Sequence, residues 1–404
     1  MHPKSEVVST IRPKFVQSIL DRQAPVIQPG KIKPLTFLLN KLGEKHPQFD
    51  MPNTAMMLGG GCSVSSGVPL SGGLMEQCRM YAFLLEETVG GGRIAQEQHF
   101  DQVADLVNQQ IDRYQAFVKN KESIFAQEVE DESKDWLPLI KEFDPGATWN
   151  EYRDQIVWQR LYAKWFEAYS QEPLDRFRFV ERMVHGLRPG PGYLLLATMV
   201  ENGLIRNLLT TNFEDLLEDS IVHGVGMRCN VFQDDEYSRY ISIHSERPNL
   251  IKLNGDYRYA LSSNGVKNIL ALTEKLLFKF EELLYSLDLV VLGYNGTDHS
   301  IMSNILKIKK ERPFGLYWCG LNPAMVPWRV AKLINNTPNS FFIKIQGFDE
   351  VMAEMFSLYG KKSAQDLVAQ AQARQSYNDQ SIRDLVKTLP PETGAALQNR
   401  FFPT

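Results

Sequence analysis

Short apolar runs that end in glycine or polar turns recur along this chain, and between them apolar residues return at helical spacing. Residues 1–50 read as an irregular lead-in punctuated by Pro13, Pro25, Pro29 and Pro34, with a helical pattern at Leu35–Leu42. Residues 55–60 (AMMLGG) predict a short buried strand running into glycines, and the turn at 67–73 leads to a helix at 74–86. Residues 93–188 carry many Gln, Glu, Asp and aromatic residues at helical periodicity, for example Phe100, Val103, Leu106 and Val107, and Trp158, Leu161, Tyr162, Trp165 and Phe166. They predict a helical insertion covering one edge or face of a sheet, with the aromatic residues as core.

From residue 189 the alternation returns. Helices are predicted at 193–203, 213–222, 271–286, 301–310 and 327–335. Strands are predicted at 205–211, around Phe232, at 240–243, 250–253, 287–292, 315–319 and 341–345. The tail predicts helices at 361–375 and 380–388 before Pro390 and Pro391 break the pattern, with disorder as the alternative. Strands alternating with helices, with few hairpin signals, imply an α/β fold: a doubly wound, Rossmann-like parallel sheet with a helical insertion domain. The expected divisions are a helical lead-in at 1–50, a nucleotide-binding fold at 51–92 and 189–355, the insertion at 93–188, and a helical tail at 356–404.

Composition narrows the function classes only a little. A formal net charge of −4 provides no field that would recruit nucleic acid or anionic membrane. The basic cluster Lys307–Lys310 with Arg312 reads as a solvated helix face. Cys62, Cys78, Cys229 and Cys319 lack CxxC spacing, so no zinc ribbon is expected and no metal is assigned. Scattered cysteines, no secretory leader and no membrane-length apolar run predict a cytoplasmic protein without disulfides.

Three motifs carry candidate chemistry, each at the end of a predicted strand. In MMLGGGCSVSSGVP, Gly59, Gly60 and Gly61 would let the backbone approach a pyrophosphate, and Ser63 and Ser65 could donate hydroxyls; a ligand-free glycine turn is the alternative. In LLTTNFEDLLE, Thr211 and Asn212 stand at the strand end, where Asn212 could hold a ribose hydroxyl, an amide or a water. Helix capping accounts for Glu214 and Asp215, and accounts less well for an exposed Asn212 at the strand end. In LVVLGYNGTDHSIM, Gly293 and Gly296 bracket Tyr294 and Asn295, a turn that could cover an adenine ribose; a glycine turn with an ordinary Thr297 or Asp298 cap is the alternative. Asp298 and His299 are adjacent on a predicted helix and point different ways, so they form no pair.

Taken in order, GGGCSVSSGVP, TTNFEDLLE, KLNGDY and VVLGYNGTDHSI resemble the sirtuin superfamily, and in particular the sirtuin-like domains of bacterial antiphage defence proteins. Gly59, Gly61, Ser63, Gly67 and Pro69 match the pattern GAG-x-S-x-x-x-GIP. Asn212 matches the Asn of TQN-x-D, Glu214 stands at its Asp, and Gly293 matches the last glycine turn. GLYWCGLNP at 315–323 and IKIQGFDEVM at 343–352 look like the defence branch too. The resemblance implies a sirtuin-like NAD-binding domain at 51–92 and 189–355, with NAD as substrate and no zinc.

The departures from the pattern bear on activity. Leu70, Ser71 and Gly72 stand where a sirtuin deacetylase has Asp-Phe-Arg, and the paired-cysteine zinc module is missing, which argues against protein deacylation. Asn254 stands just before Gly255, where the family has its catalytic His. Loss of a general base costs about 10²–10⁴-fold in rate, and Asn accepts no proton at useful pH. His244 and His299 are substitutes that this reading does not favour. Two readings fit Asn254: a native residue of a binder, sensor or slow enzyme, or a His-to-Asn substitution in an otherwise kept site.

The resemblance therefore implies NAD⁺ hydrolysis to nicotinamide and ADP-ribose, depleting NAD⁺ in antiphage defence, with this chain impaired through Asn254. Asn212 and position 254 are the expected catalytic residues; Gly59, Gly60, Gly61, Ser63, Thr211, Asp215, Gly293 and Asn295 are expected to line the dinucleotide. The alternative is a non-catalytic NAD or ADP-ribose sensor that regulates a partner. With no GxxxxGK[ST] motif the chain is not its own ATPase. A homo-oligomer and a separate partner, a hexameric HerA-type ATPase or another phage-sensing protein, are expected, with no membrane involvement.

Overall fold

The computed structural model describes residues 26–87, 100–131, 137–138, 141, 146, 148–170, 172–233, 240–253, 274–296, 301–302, 304–305 and 314–360. Residues 1–355 form one compact unit and residues 356–404 a second, of which only 356–360 are described. The expected tail helices, the cluster at Lys307–Lys310, and Asn254, Asp298 and His299 lie outside the described residues.

Eight strands form one sheet: β1 (Ile32–Pro34), β2 (Thr54–Leu58), β3 (Asn207–Thr210), β4 (Asn230–Phe232), β5 (Asn249–Lys252), β6 (Asp288–Leu292), β7 (Leu316–Gly320) and β8 (Ser340–Lys344). Their order is β1-β8-β7-β6-β2-β3-β5-β4, and every pairing is parallel. This is the doubly wound α/β sheet that the alternation predicts. All residues of β2, β3, β5 and β6 are buried, as the central strands of a covered parallel sheet must be.

Helices among the described residues are α1 (Leu35–Leu42), α2 (Ser71–Glu87), α3 (Phe100–Asn108), α4 (Ile111–Asp131), α5 (Trp149–Tyr169), α6 (Pro173–Val184), α7 (Pro191–Glu201), α8 (Leu216–Asp219), α9 (Glu274–Ser286), α10 (Trp328–Asn336) and α11 (Phe348–Tyr359). One core joins sheet residues Met57, Leu209, Ile251, Val291 and Trp318 to Phe280 and Leu284 of α9 and to Val330 and Ile334 of α10. A second core is helical. It joins Met75, Cys78 and Phe83 of α2 to Val103 of α3, Tyr114 of α4, Trp165 of α5 and Phe179 of α6. The helix that leaves the first glycine motif is thus also the helix on which α3, α4, α5 and α6 pack.

At the amino ends of three adjacent strands, asparagines replace apolar residues. Asn249 Nδ2 donates to Asn207 Oδ1 at 2.9 Å, and Asn230 Nδ2 donates to Asn249 Oδ1 at 3.2 Å. Asn207 pairs with Asn249, and Asn249 with Asn230, in the strand register. A one-residue slip would strand the buried amides of Asn207 and Asn249, so the ladder fixes the register.

Two expected elements differ. The strand at 240–243 does not form: Ile241 and Ile243 are buried, but the Ser242 carbonyl accepts from Asn249 Nδ2 (2.8 Å) and the Ile243 carbonyl from Asn207 Nδ2 (3.1 Å). Side-chain amides take the place of a ladder. The helix expected at 213–222 begins at Leu216 and ends in a π-helical turn at Ser220–Gly224, because residues 211–215 are held in a loop.

Candidate functional site

The connection after β2 leads to β3 on one side of it, and the connection after β6 leads to β7 on the other. The carboxyl ends of β2 and β6 therefore border the topological switch point, where open α/β sheets place their ligands. Both glycine motifs lie there, and they pack on each other. Gly59 N–H donates to Leu292 O at 2.9 Å, and Gly61 N–H donates to Gly293 O at 2.8 Å.

This packing gives the glycines distinct roles. A Cβ on Gly59 would lie 2.6 Å from Gly293 O and from Tyr294 Cα, and one on Gly61 would lie 2.8 Å from Gly293 Cα. Gly293 has φ 64°, and its Cβ would lie 2.6 Å from Cys62 N. Backbone against backbone leaves no room for a side chain at these three positions. Gly60 differs: it is exposed, and its Cβ would meet nothing within 4 Å. Gly60 is the member of the run that faces open space.

Beyond the glycines the chain turns through Ser63, which is 1% exposed, into a polar cluster. Asn212 Nδ2 donates to Ser63 Oγ at 2.9 Å, and lies 3.2 Å from each of Gly59 O, Tyr193 OH and Glu214 Oε1. Gly59 O can only accept, so the nitrogen of the amide must face inward. Ser63 Oγ lies 2.8 Å from Tyr193 OH and donates to Glu214 Oε1. One assignment satisfies the serine: its hydroxyl donates to the carboxylate and accepts from Asn212 and from the tyrosine hydroxyl. Burial pushes the Glu214 carboxyl above its ordinary value, against the hydrogen bonds from Ser63 and Asn212 and the charge of Lys252. Burial also pushes the Tyr193 hydroxyl up, so it stays a neutral donor.

Lys252, the last residue of β5, closes the other side of the loop. It is 1% exposed, and Nζ donates to Glu214 O (3.2 Å) and Asp215 Oδ1 (2.9 Å). Asp215 precedes α8 but makes no side-chain cap. This corrects the capping explanation of both acidic residues: Glu214 turns into the cluster and Asp215 pairs with a buried lysine. The exposed placement expected of Asn212 is corrected too, since Asn212 is 8% exposed.

Of the remaining expected residues, Thr211 is half-buried and its N–H donates to Leu58 O (3.0 Å). Asn295 is exposed on the turn after β6. Leu253, next to Asn254 in sequence, donates its N–H to Thr210 O at 2.8 Å. His244 sits before β5, at the opposite edge of the sheet, with Nδ1 3.1 Å from Met51 Sδ and its ring 4.1 Å from that of Phe49. That position sets it apart from the polar cluster at the carboxyl ends of β2 and β3. Tyr193 and Lys252 are the members of this cluster that sequence reasoning missed, and Glu214, read there as a cap at the family's Asp, turns inward instead. For Tyr193 the available signal was a tyrosine in an otherwise apolar helix, whose buried hydroxyl requires a partner.

The family model described as SIR2-like domain matches residues 206–333, which contain Asn212, Glu214, Lys252 and Gly293. The chain carries a sirtuin-like domain. Similar solved structures include a Sir2 homologue–NAD complex, at 14% identity and TM-score 0.35, with 80% of this chain and 95% of that chain covered. Another is Sir2 bound to acetylated peptide, at 12% identity and TM-score 0.38, with 82% and 100% covered. A search of curated protein sequences finds no match. Among the described residues, no group of three or more His, Cys, Asp or Glu is placed to hold a metal ion. The cysteines are free; Cys62, Cys78 and Cys319 are buried and Cys229 is half-buried. No described helix is long and apolar enough to cross a membrane.

Proposed function

We propose that the sirtuin-like domain binds NAD⁺ at the switch point and that the chain is an NAD⁺ glycohydrolase of the antiphage type, impaired by Asn254. The observation that carries this reading is the Ser63–Asn212–Tyr193–Glu214 cluster beside the exposed Gly60, at the carboxyl edge of β2 and β3. Gly60, Ser63, Thr211, Asp215, Gly293 and Asn295 line the dinucleotide in this proposal, with Gly59 and Gly61 shaping its floor. With the amide hydrogens of Asn212 engaged inward, its Oδ1 is left to accept from a ribose hydroxyl or an attacking water.

The reaction transfers the ribose from nicotinamide to water and releases one proton. A histidine at position 254 would take that proton as general base, and an asparagine would not. Control by a homo-oligomer or a separate ATPase partner belongs to the same proposal. It is supported by the resemblance to the defence branch and by the lack of a P-loop motif in the sequence.

A second reading rests on Asn254 itself: a domain that binds NAD⁺ or ADP-ribose without turnover and reports it to a partner. Nicotinamide release by this chain and by its Asn254→His form separates the two. Release by the His form alone supports the glycohydrolase. NAD⁺-induced thermal stabilisation of both forms, with release from neither, supports the sensor. No binding by either form rejects both.

A further inference from the structure

Helix α7 carries Tyr193 into the cluster, yet it does not cap itself. Its N-cap is Gly190, which has no side chain, and Pro191 follows at the first helical position. Two backbone donors at its start are satisfied by side chains from elsewhere. Ser66 Oγ accepts from Gly190 N–H at 2.8 Å, and Asp349 Oδ1 accepts from Gly192 N–H at 3.0 Å. The same Asp349 oxygen accepts from Ser65 Oγ at 3.2 Å. Asp349 also lies in the first turn of α11, so its carboxylate is placed at the N-termini of two helices, where their dipoles favour negative charge.

The contact is close on every side. A Cβ on Gly190 would lie 2.6 Å from Ser65 Oγ. A Cβ on Gly192 would overlap Asp349 Oδ1 and lie 2.6 Å from the Phe348 ring. The Phe348 ring packs edge-on against that of Tyr193, with centroids 5.3 Å apart. Phe348 and Asp349 therefore grip two consecutive residues of α7, one by ring contact and one by its backbone donor. Through Ser65 they also grip the turn that carries Ser63.

We propose that Asp349 is a positioning residue of the site. Its carboxylate ties the Ser63–Ser66 turn to the start of α7, and so sets Tyr193 OH against Ser63 Oγ and Asn212. The role rests on the NAD⁺ reading for its effect on turnover, and on geometry alone for its effect on the two segments.

The test compares Asp349→Ala with its parent, in the full chain and in the Asn254→His form. Amide hydrogen exchange is expected to quicken at 63–66 and at 190–193 together, with β2 and β3 unchanged. In the Asn254→His form kcat is expected to fall by about 10–100-fold while KM stays within about threefold, as misplaced reacting groups require. Asp349→Asn keeps an oxygen acceptor and is expected to recover part of that kcat. The control Glu350→Gln, one residue along, is expected to match the parent. Unchanged exchange at both segments overturns the proposal, and so does a raised KM at unchanged kcat. If Asp349→Ala does not fold, Ser65→Ala removes one of the two donors at an exposed position. Faster exchange at 63–66 then supports the clamp, and parental exchange overturns it. If the Asn254→His form cleaves no NAD⁺, the glycohydrolase reading fails, and hydrogen exchange still decides the clamp.

Discussion

Lys252 Nζ lies 2.9 Å from Asp215 Oδ1, with side-chain exposures of 1% and 21%. This pair, with the bond from the same Nζ to Glu214 O, joins the end of β5 to the loop that holds Asn212. Removing the lysine leaves the carboxylate and the Glu214 carbonyl without that donor. Lys252→Met is expected to lower the unfolding free energy by about 3 kcal/mol, the low end for breaking a buried pair because Asp215 is partly solvated. Asp215→Asn, which keeps an oxygen for the ammonium, should cost less. Urea denaturation of both variants checks the order; a Lys252→Met midpoint equal to that of the parent rejects the role.

The central strands were legible because a covered parallel strand is apolar on both faces, as in Met56–Met57 and Val290–Val291. Their ends were legible through glycines and asparagines. The edge strand β1 escaped detection: three residues, Ile32–Pro34, give no periodicity. The false strand at 240–243 came from Ile241 and Ile243, whose burial is real, but the Ile243 and Ser242 carbonyls are taken by Asn207 and Asn249, 36 and 7 residues away. Members of the polar cluster were legible where a motif marked them, as at Ser63 and Asn212. Tyr193 and Lys252 reach the site through tertiary contacts across 130 and 37 residues, which no local pattern records.

Glu214 gives the site a pH dependence of definite sign. Burial raises its carboxyl pKa in the folded chain, so the folded state keeps the proton to higher pH than the unfolded state. The stability that comes from this group is fully present below the ordinary glutamate range and is lost as pH rises through the raised value. Glu214→Gln keeps an oxygen for Ser63 and Asn212 and removes the titration. Its melting temperature relative to the parent should therefore be higher at pH 8 than at pH 5. An equal difference at both pH values would show that burial does not raise the Glu214 carboxyl in the folded chain.

The three glycine positions separate packing from ligand approach. Gly293→Ala places a Cβ at φ 64° against Cys62 N, and Gly61→Ala places one against the Gly293 backbone. Each should destabilise by at least about 1–2 kcal/mol, from left-handed strain at 293 and backbone overlap at both. Gly60→Ala meets nothing within 4 Å and should stay within about 0.5 kcal/mol of the parent. If a dinucleotide passes over Gly60, NAD⁺ affinity should fall in that stable variant. Parental affinity in Gly60→Ala would move the ligand away from this turn.

The helical core offers the clearest stability test outside the site. Arg79 on α2 has 5% side-chain exposure; it donates to Glu76 at 3.0 Å and to Glu122 on α4, and its guanidinium carbon lies 5.5 Å from the Trp165 ring centroid on α5. Tyr114 donates to Glu76 in turn, so one guanidinium organises two carboxylates and two aromatic residues. Burial already raises the Glu122 carboxyl despite the attraction of Arg79. Without the cation, both acids would face a poorly solvated pocket. Arg79→Met is expected to cost about 3–5 kcal/mol, as for one partner removed from a buried pair. Glu122→Gln should cost less, since its amide oxygen still accepts from Arg79. Because α2 leaves the glycine motif directly, hydrogen exchange in Arg79→Met should quicken in α4 and α5 before it quickens in β2. The reverse order would mean that α2 is held by the sheet and that the ion pairs contribute little to it.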